Sequence, residues 1–575
     1  MGAATAEGRV VRVNGPLVQA EGLAGTAMLE AVELGPQRLA GEVVAIRGDL
    51  VTVQAYEYTG GLAPGASVVS QGEPLSAPLG PHLLGGVFDG LLRPLGGTGT
   101  WLTPARRDQA DGRAWSFTPT VSEGTVVAPG APLGTVDGAG AVPYLVLVPP
   151  GLGGRVEAIR PPGAYPATTP LATIAGHDVA MTLRWPVRRP KPYAERLEAV
   201  VPLLTGQRLL DLLLPVPLGG TAAVPGGFGT GKTVLLQQIA KWCSADVIVY
   251  VGCGERGNEL ADVVTELAEL ADPRTGGRLA QRTVVIANTS NMPMMAREAS
   301  VYSAVTVAEH FRDMGYAVVV IADSTSRWAE ALRELASRSG ALPAEEGYPA
   351  DLASALAAFY ERAGHVTTLG GLQGSVTIIG AVSPPGGDMT EPVTTHTQRF
   401  VRCLWTLDRD LAYARHYPAV SWTASFARDF DAVAVWHAGN GDPGWAQRRA
   451  QVAALLAEAD RLGALAELVG VSALPARERV VLLAGRLLRE AVLQQSALSP
   501  LDAFSDAART AALAEAVLDT VEACQRLADR GVPASTIEEQ DFSPLLRARE
   551  EVGADAAQAV RARSDTLVNR LEALR

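Results

Sequence analysis

The chain has 575 residues, a formal charge of −12, 47% apolar and 19% charged side chains. That length exceeds a single core and implies about three to five domains. The composition is too apolar for a disordered chain, yet its longest aliphatic strings, such as Ala317 to Ala322, fall far short of the ~20 residues a bilayer span needs. The negative balance disfavours nucleic-acid backbones and anionic lipid as partners. Only Lys191, Lys232 and Lys241 stand among 49 basic residues, so chemistry that needs an amine has few candidates. Cys243, Cys253, Cys403 and Cys524 show no CxxC spacing, which argues against a disulfide scaffold or a zinc knuckle. The amino-terminal MGAATAEGRVV has no basic region followed by an apolar run, and Ala6 stands where a myristoylation signal wants Ser or Thr; the expected setting is cytoplasmic.

From Arg9 to Val69, short Val-rich runs (Arg9 to Val13, Glu42 to Ile46, Val51 to Tyr56) alternate with Gly, Pro and Asn, which predicts a small closed β-domain over residues 1–70. Residues 71–110 form a lead into the next domain. A second β-rich stretch follows over 111–187, with 'GTVVAPGAPLGTV' (Gly124 to Val136) and 'PYLVLVPPGLGGRVEAI' (Pro143 to Ile159). Its hairpins are similar to those of biotin and lipoyl carriers, but a carrier needs a lysine on a tight turn and none occurs before Lys191. The stretch therefore reads as an architectural insertion.

Over 188–430, apolar runs alternate with Gly-rich turns and helical stretches. Asp246 to Val251, Thr283 to Ala287, Ala317 to Ala322 and Val376 to Val382 have the continuous apolar character of strands buried on both faces of a parallel sheet. This predicts a doubly wound α/β domain. Over 431–575 the composition shifts to Ala, Leu, Glu and Arg at helical spacing, as in 'RVVLLAGRLLREAVLQQ' (Arg479 to Gln495), and predicts a bundle of about six helices.

'PGGFGTGKT' (Pro225 to Thr233) fits the phosphate-loop pattern: Gly226, four residues, then Gly231, Lys232 and Thr233. An apolar run ends at Val224 before it, and the helical 'VLLQQIAKW' follows. Glycines let successive backbone N–H groups face phosphate oxygens, and the helix N-terminus adds its positive dipole end. Lys232 contributes a mobile positive charge, and the Thr233 hydroxyl can hold Mg²⁺. Asp323 follows directly on the apolar run in 'YAVVVIADSTSR' (Tyr316 to Arg327), as a magnesium-shell carboxylate should; the bland alternative is a cap on the next helix. In 'DVIVYVGCGERGNE' (Asp246 to Glu259), Glu255 and Arg256 are the first charges after a strand. Glu255 can orient an attacking water and Arg256 can meet developing phosphate charge, or the two can form an ordinary loop pair.

Six segments occur in order: the phosphate loop, 'VGCGERGNE', 'ANTSNMPMMAREAS' (Ala287 to Ser300), 'ADSTSRWAEALRE' (Ala322 to Glu334), 'EEGYPADLASALAAFYERAG' (Glu345 to Gly364) and 'GAVSPPGGDMTEPV' (Gly380 to Val393). Together they resemble the catalytic A subunit of V-type and archaeal-type (V/A) rotary ATPases. The likeness extends to 'GEVVAIRGDLVTVQAYEYTGGL' (Gly41 to Leu62) and 'VFDGLLRP' (Val87 to Pro94), and weakens after about Ala427. It implies a multidomain α/β protein: an N-terminal β-barrel, a β-rich bulge insertion, a RecA-like nucleotide domain and a C-terminal helical bundle. The insertion separates this family from F-type β subunits.

The resemblance further implies a ring in which A subunits alternate with B subunits, each catalytic site lying at an A–B interface completed by an arginine finger from B. A central shaft and peripheral stalks would couple ATP hydrolysis or synthesis to proton (or sodium) transport in a membrane sector this chain does not enter. The protein would then be cytoplasmic and peripheral to the membrane. Carried over by position, nucleotide binding falls on Gly226, Gly227, Phe228, Gly229, Thr230, Gly231, Lys232, Thr233 and Val234, with Arg327 as a further phosphate contact and Tyr417, next to Pro418, as the aromatic on adenine. Lys232, Glu255 and Arg256 take the catalytic roles, and Thr233 and Asp323 the metal; the expected cofactors are ATP or ADP with Mg²⁺.

The chain departs from the family in two places. Leu498 in 'LQQSAL' (Leu493 to Leu498) stands where an aromatic closes the adenine pocket, and 'PAVSWTASFA' (Pro418 to Ala427) lacks the usual Ser-x-Ser ending. Thr230 replaces a redox-sensitive Cys of eukaryotic members, so disulfide control is not expected. Two other readings remain: a RecA-like hexameric nucleic-acid translocase, disfavoured by the net charge, and a noncatalytic ring subunit, disfavoured by Lys232, Glu255 and Asp323 together.

Overall fold

A computed structural model of the chain describes residues 6–96, 112–340, 342–551 and 556–574. Of the lead expected over 71–110, residues 97–110 lie outside the described part. By backbone contacts the chain divides into two compact units: Met1–Glu198, Gly219–Thr221 and Ala245–Val401 form the first, and Ala199–Leu218, Ala222–Ser244 and Arg402–Arg575 the second.

The first unit begins with a closed six-stranded barrel in the order Glu7–Asn14, Leu17–Glu21, Leu50–Ala55, Leu39–Arg47, Glu30–Leu34 and Ser67–Pro74. Alternation within each strand sends Val10, Val18, Val32, Leu34, Val43, Val53 and Val68 inward, and closure leaves no unpaired edge. Two four-stranded antiparallel sheets follow between Ala114 and Val179. Their inner faces bury Trp115, Phe117, Leu133, Val136, Tyr144, Val156 and Ile174. The Gly- and Pro-rich hairpins predicted from sequence are the turns of these sheets.

The same unit holds a parallel sheet in the order Gln373–Val382, Ala317–Asp323, Val247–Glu255, Thr283–Thr289 and Val87–Phe88. Its central strands are buried along nearly their whole length, which is why they read as unbroken apolar runs. The helix Met294–Asp313 is buried almost all round. Parallel pairing brings the carboxyl ends of the strands to one edge, so Glu255 and Asp323, the last residues of their strands, share it.

In the second unit the strand Thr221–Pro225 pairs in parallel with Cys403–Leu404, which in turn pairs with Phe426–Ala427. The remainder is helical, dominated by Trp445–Val469, Ala476–Leu487, Ala507–Asp529 and Ala556–Glu572. The helix beginning at Ala476 widens into a π-helical turn over Leu488–Leu493. There Gln494 N–H donates to Arg489 O (2.8 Å), five residues back. The helical reading of Arg479 to Gln495 therefore stops two residues early, and the final turn has a wider bore than periodicity alone could indicate.

Candidate functional site

Within the second unit, the wholly buried strand Thr221–Pro225 runs into the phosphate loop and then into the helix Lys232–Trp242. The helix has no side-chain cap, so its first-turn amides are left for another acceptor. Gly229 and Gly231 adopt left-handed backbone, φ +78° and +85°. Gly226 has no room for a Cβ, which would stand 2.7 Å from Leu407 Cβ and 2.8 Å from Thr230 Oγ1, whereas Gly227 and Gly229 open onto clear space. The Thr230 hydroxyl closes the loop by donating to Gly227 O (2.8 Å). The Lys232 ammonium arches over the loop and donates to the carbonyls of Gly226 and Gly227. Phe228 and Val234 are exposed, and Thr233 sits in the first helical turn.

Tyr417 belongs to the same unit and is 42% exposed, so it is not a core residue. A Cβ on Gly231 would come within 3.3 Å of its ring, which places the ring against the start of the phosphate-loop helix. Its peptide bond to Pro418 is cis. Leu498 is 95% exposed. Mg²⁺ and nucleotide suit these donors: open loop amides and a lysine for phosphate, and the Thr233 hydroxyl as a hard oxygen.

In the first unit, Glu255 ends its strand just after Gly254, whose φ of +73° turns the chain out of the sheet. The Glu255 carbonyl accepts from Ser290 N–H (2.9 Å). Arg256 is exposed and pairs at 3.7 Å with Glu259, in the first turn of the next helix. Asp323 is buried and accepts from the Tyr250 hydroxyl (3.1 Å). Burial, then the Asp323 charge, holds the Tyr250 phenol far above its ordinary pKa, so it stays protonated as a donor. The cap position of the next helix falls on Ser324, one residue after Asp323, and the Ser324 side chain makes no cap hydrogen bond. Arg327 is half-exposed and held by Glu330 at 3.0 Å, an interaction that raises its pKa.

Sequence reasoning passed over Arg297. A Cβ on Gly254 would meet its Cδ and Nε and the Cβ of Arg327, each at 3.0 Å, so two arginines flank the residue before Glu255. Arg297 Nη2 donates to Ser290 O (3.1 Å), while its buried Nε has no hydrogen-bond partner among the described residues. Its only sequence signal was a place inside 'ANTSNMPMMAREAS'. Tyr250, the donor to Asp323, was equally invisible because it reads as one more apolar strand residue. Cys253 lies beside this group, and burial pushes its thiol up to about 12. All four cysteines are buried and unbridged.

Four family models match in succession. The ATP synthase alpha/beta family beta-barrel domain covers residues 10–72, the alpha/beta subunit barrel-sandwich domain 109–188, the alpha/beta family nucleotide-binding domain 206–427, and the C-terminal domain of V and A type ATP synthase 434–536. Together with the phosphate loop they define the class: a P-loop nucleotide-binding chain of the ATP synthase type. Among relatives, the V-type ATP synthase alpha chain of Anaeromyxobacter sp. (strain K) is 49% identical, covering 98% of this chain and 100% of its own. That of Halothermothrix orenii is 45% identical, with 98% of each chain covered. The A-type ATP synthase A subunit of Staphylothermus marinus is 45% identical over 92% of this chain and 91% of its own. The chain belongs to the alpha-chain family of V- and A-type ATP synthases, whose members are also called A subunits.

Proposed function

We propose that this chain is the catalytic subunit of a rotary V/A-type ATP synthase, which hydrolyses or makes ATP in a ring shared with B subunits and couples the reaction to proton (or sodium) transport. The observation that carries it is the phosphate loop, folded with two left-handed glycines, an uncapped helix start and Lys232 arched across it. The amides from Gly226 to Thr233 and the Lys232 ammonium bind the β- and γ-phosphates, Val234 follows in the first turn of the helix, and Tyr417 and Pro418 support the base. Thr233 and Asp323 would hold Mg²⁺ when it arrives with the nucleotide, and the ion would supply positive charge to the phosphate oxygens. Glu255 orients the attacking water and takes its proton, Arg256 and Arg327 stabilise the separating phosphate, and Tyr250 holds the Asp323 carboxylate in place.

An arginine from the B subunit completes the site, and a shaft and stalk link it to a membrane sector. Among the described residues no helix is long and apolar enough to cross a membrane. The near full-length relatedness to ATP synthase chains favours this reading over a nucleic-acid translocase or a noncatalytic ring subunit.

The test is co-expression with a B subunit, followed by assay for Mg-dependent ATPase activity that neither chain shows alone. Glu255→Gln in that ring should lower turnover by about 10²–10⁴ while ATP still binds. Substantial turnover in the variant would remove Glu255 from its role.

A further inference from the structure

We propose that Gln495 is a positioning residue for the nucleobase: it locks the Tyr417 segment to the floor of the second unit and so sets affinity for the base without touching the nucleotide. This rests on the reading of Tyr417 as the base-contacting aromatic. Three consecutive residues, Arg415 to Tyr417, are bonded to the π-helical turn and the residues just after it. Gln494 Nε2 donates to Arg415 O (3.3 Å), His416 Nε2 meets Arg489 O (3.3 Å), and Gln495 N–H donates to Tyr417 O (2.7 Å). Because Arg489 O can only accept, Nε2 of His416 carries its proton. Burial lowers the imidazole pKa, which keeps the ring in that neutral form.

Gln495 alone among these residues reaches the far side with its side chain; Gln494 does so only through its carbonyl. It is buried, its Oε1 accepts from Arg208 N–H (2.9 Å), and its Nε2 donates to Gly206 O (2.8 Å). The segment it grips is itself anchored. Asp211 accepts from Thr205 N–H and Gly206 N–H, both at 2.9 Å. The Arg208 guanidinium donates to Val492 O (2.7 Å) and Gln494 O (2.5 Å) and pairs with Asp502 (2.7 Å). One amide side chain thus joins the 205–208 turn to the 415–417 segment through a single residue's backbone and head group. The ring so placed stands 3.3 Å from where a Gly231 Cβ would lie, at the start of the phosphate-loop helix. Removing the amide leaves the buried Arg208 N–H unpaired and the Gly206 carbonyl with Ser505 N–H alone (3.1 Å), and it loosens the floor beneath Tyr417.

The experiment compares the A–B ring carrying Gln495→Ala, Gln495→Glu, Tyr417→Ala, or Tyr417→Ala with Gln495→Ala. KM and kcat for ATP are measured, with inhibition by Mg-tripolyphosphate, which has phosphates but no base. In Gln495→Ala the ATP KM should rise about tenfold with kcat within about twofold and the tripolyphosphate Ki unchanged. Gln495→Glu, which keeps the acceptor for Arg208 N–H and fills the same volume, should lie between wild type and Ala. Added to Tyr417→Ala, the second change should shift KM by less than about twofold, since its effect runs through that ring. A parallel rise in the tripolyphosphate Ki, additive effects in the double variant, or unchanged KM in both Gln495 variants would overturn the proposal. If Tyr417→Ala itself left the ATP KM unchanged, the base reading of Tyr417 would fall first, and the proposal with it.

Discussion

Removing the carboxylate of Asp502 isolates a charge that the second unit cannot hydrate. Arg208 and Asp502 are both fully buried. They approach to 2.7 Å as a charge pair, without an aligned hydrogen bond between Nη1 and Oδ1. The other Asp502 oxygen accepts from Ser496 N–H (2.7 Å) and lies 3.5 Å from Arg549. Burial lowers the Arg208 pKa, and Asp502 is the strongest influence opposing that fall, while Arg509 and Arg549 add to it. Asp502→Ala would leave a guanidinium supported by two carbonyls and repelled by two arginines, which should cost about 3–5 kcal/mol. At roughly 2–4 °C per kcal/mol for a domain of 150–250 residues, the melting transition of this unit should fall by about 6–20 °C. Replacing both partners, as Arg208→Met with Asp502→Leu, should recover most of that loss, because an apolar pair of similar volume carries no desolvation penalty. Differential scanning calorimetry of the three proteins reads both outcomes. A shift below about 2 °C in Asp502→Ala, or a double variant less stable than the single one, would show that the pair is hydrated and the reasoning wrong.

Further predictions concern other residues. Gly231→Ala forces a side chain into left-handed backbone at φ +85° against the Tyr417 ring, and a strain of about 1–2 kcal/mol should weaken ATP binding roughly 5- to 30-fold by calorimetric titration. His310 is buried and donates through Nε2 to the Tyr144 hydroxyl (3.0 Å), whose own proton goes to Met181 O (2.9 Å). Burial, aided by Lys191, holds its pKa well below the ordinary value. The unfolded imidazole binds a proton that the folded one refuses, so stability should fall as pH drops through about 6.5 and below, and His310→Gln should flatten that slope in melting curves. With Cys253 raised to about 12 and Cys524 to about 11 by burial, iodoacetamide at pH 8 should label the native protein only slowly, and rapid alkylation by mass spectrometry would contradict the burial.

The residues announce some of this architecture and hide the rest for physical reasons. A phosphate loop is local: its turn, its glycines and its helix start lie within Pro225–Thr233, so spacing alone carries them. The parallel strands are nearly as plain, because burial on both faces demands unbroken runs such as Val318 to Ile321. Glu255 and Asp323 stand out as the first charges after such runs. Arg297 does not, because it comes from a helix that only the folded chain brings against Gly254. The hold of Gln495 on Gly206 joins residues 289 apart, and no periodicity records such a bond.

The scarcity of lysine turns a general reagent into a local one. Lys191 is buried with its ammonium on Asp313 at 2.8 Å, which leaves Lys241, stacked over Trp242, and Lys232 as the side-chain amines within reach. An acylating agent applied to this protein would therefore report almost directly on whether a nucleotide shields the loop. An acetyl transferred there would remove the ammonium that bonds the phosphate-loop carbonyls in a single covalent event.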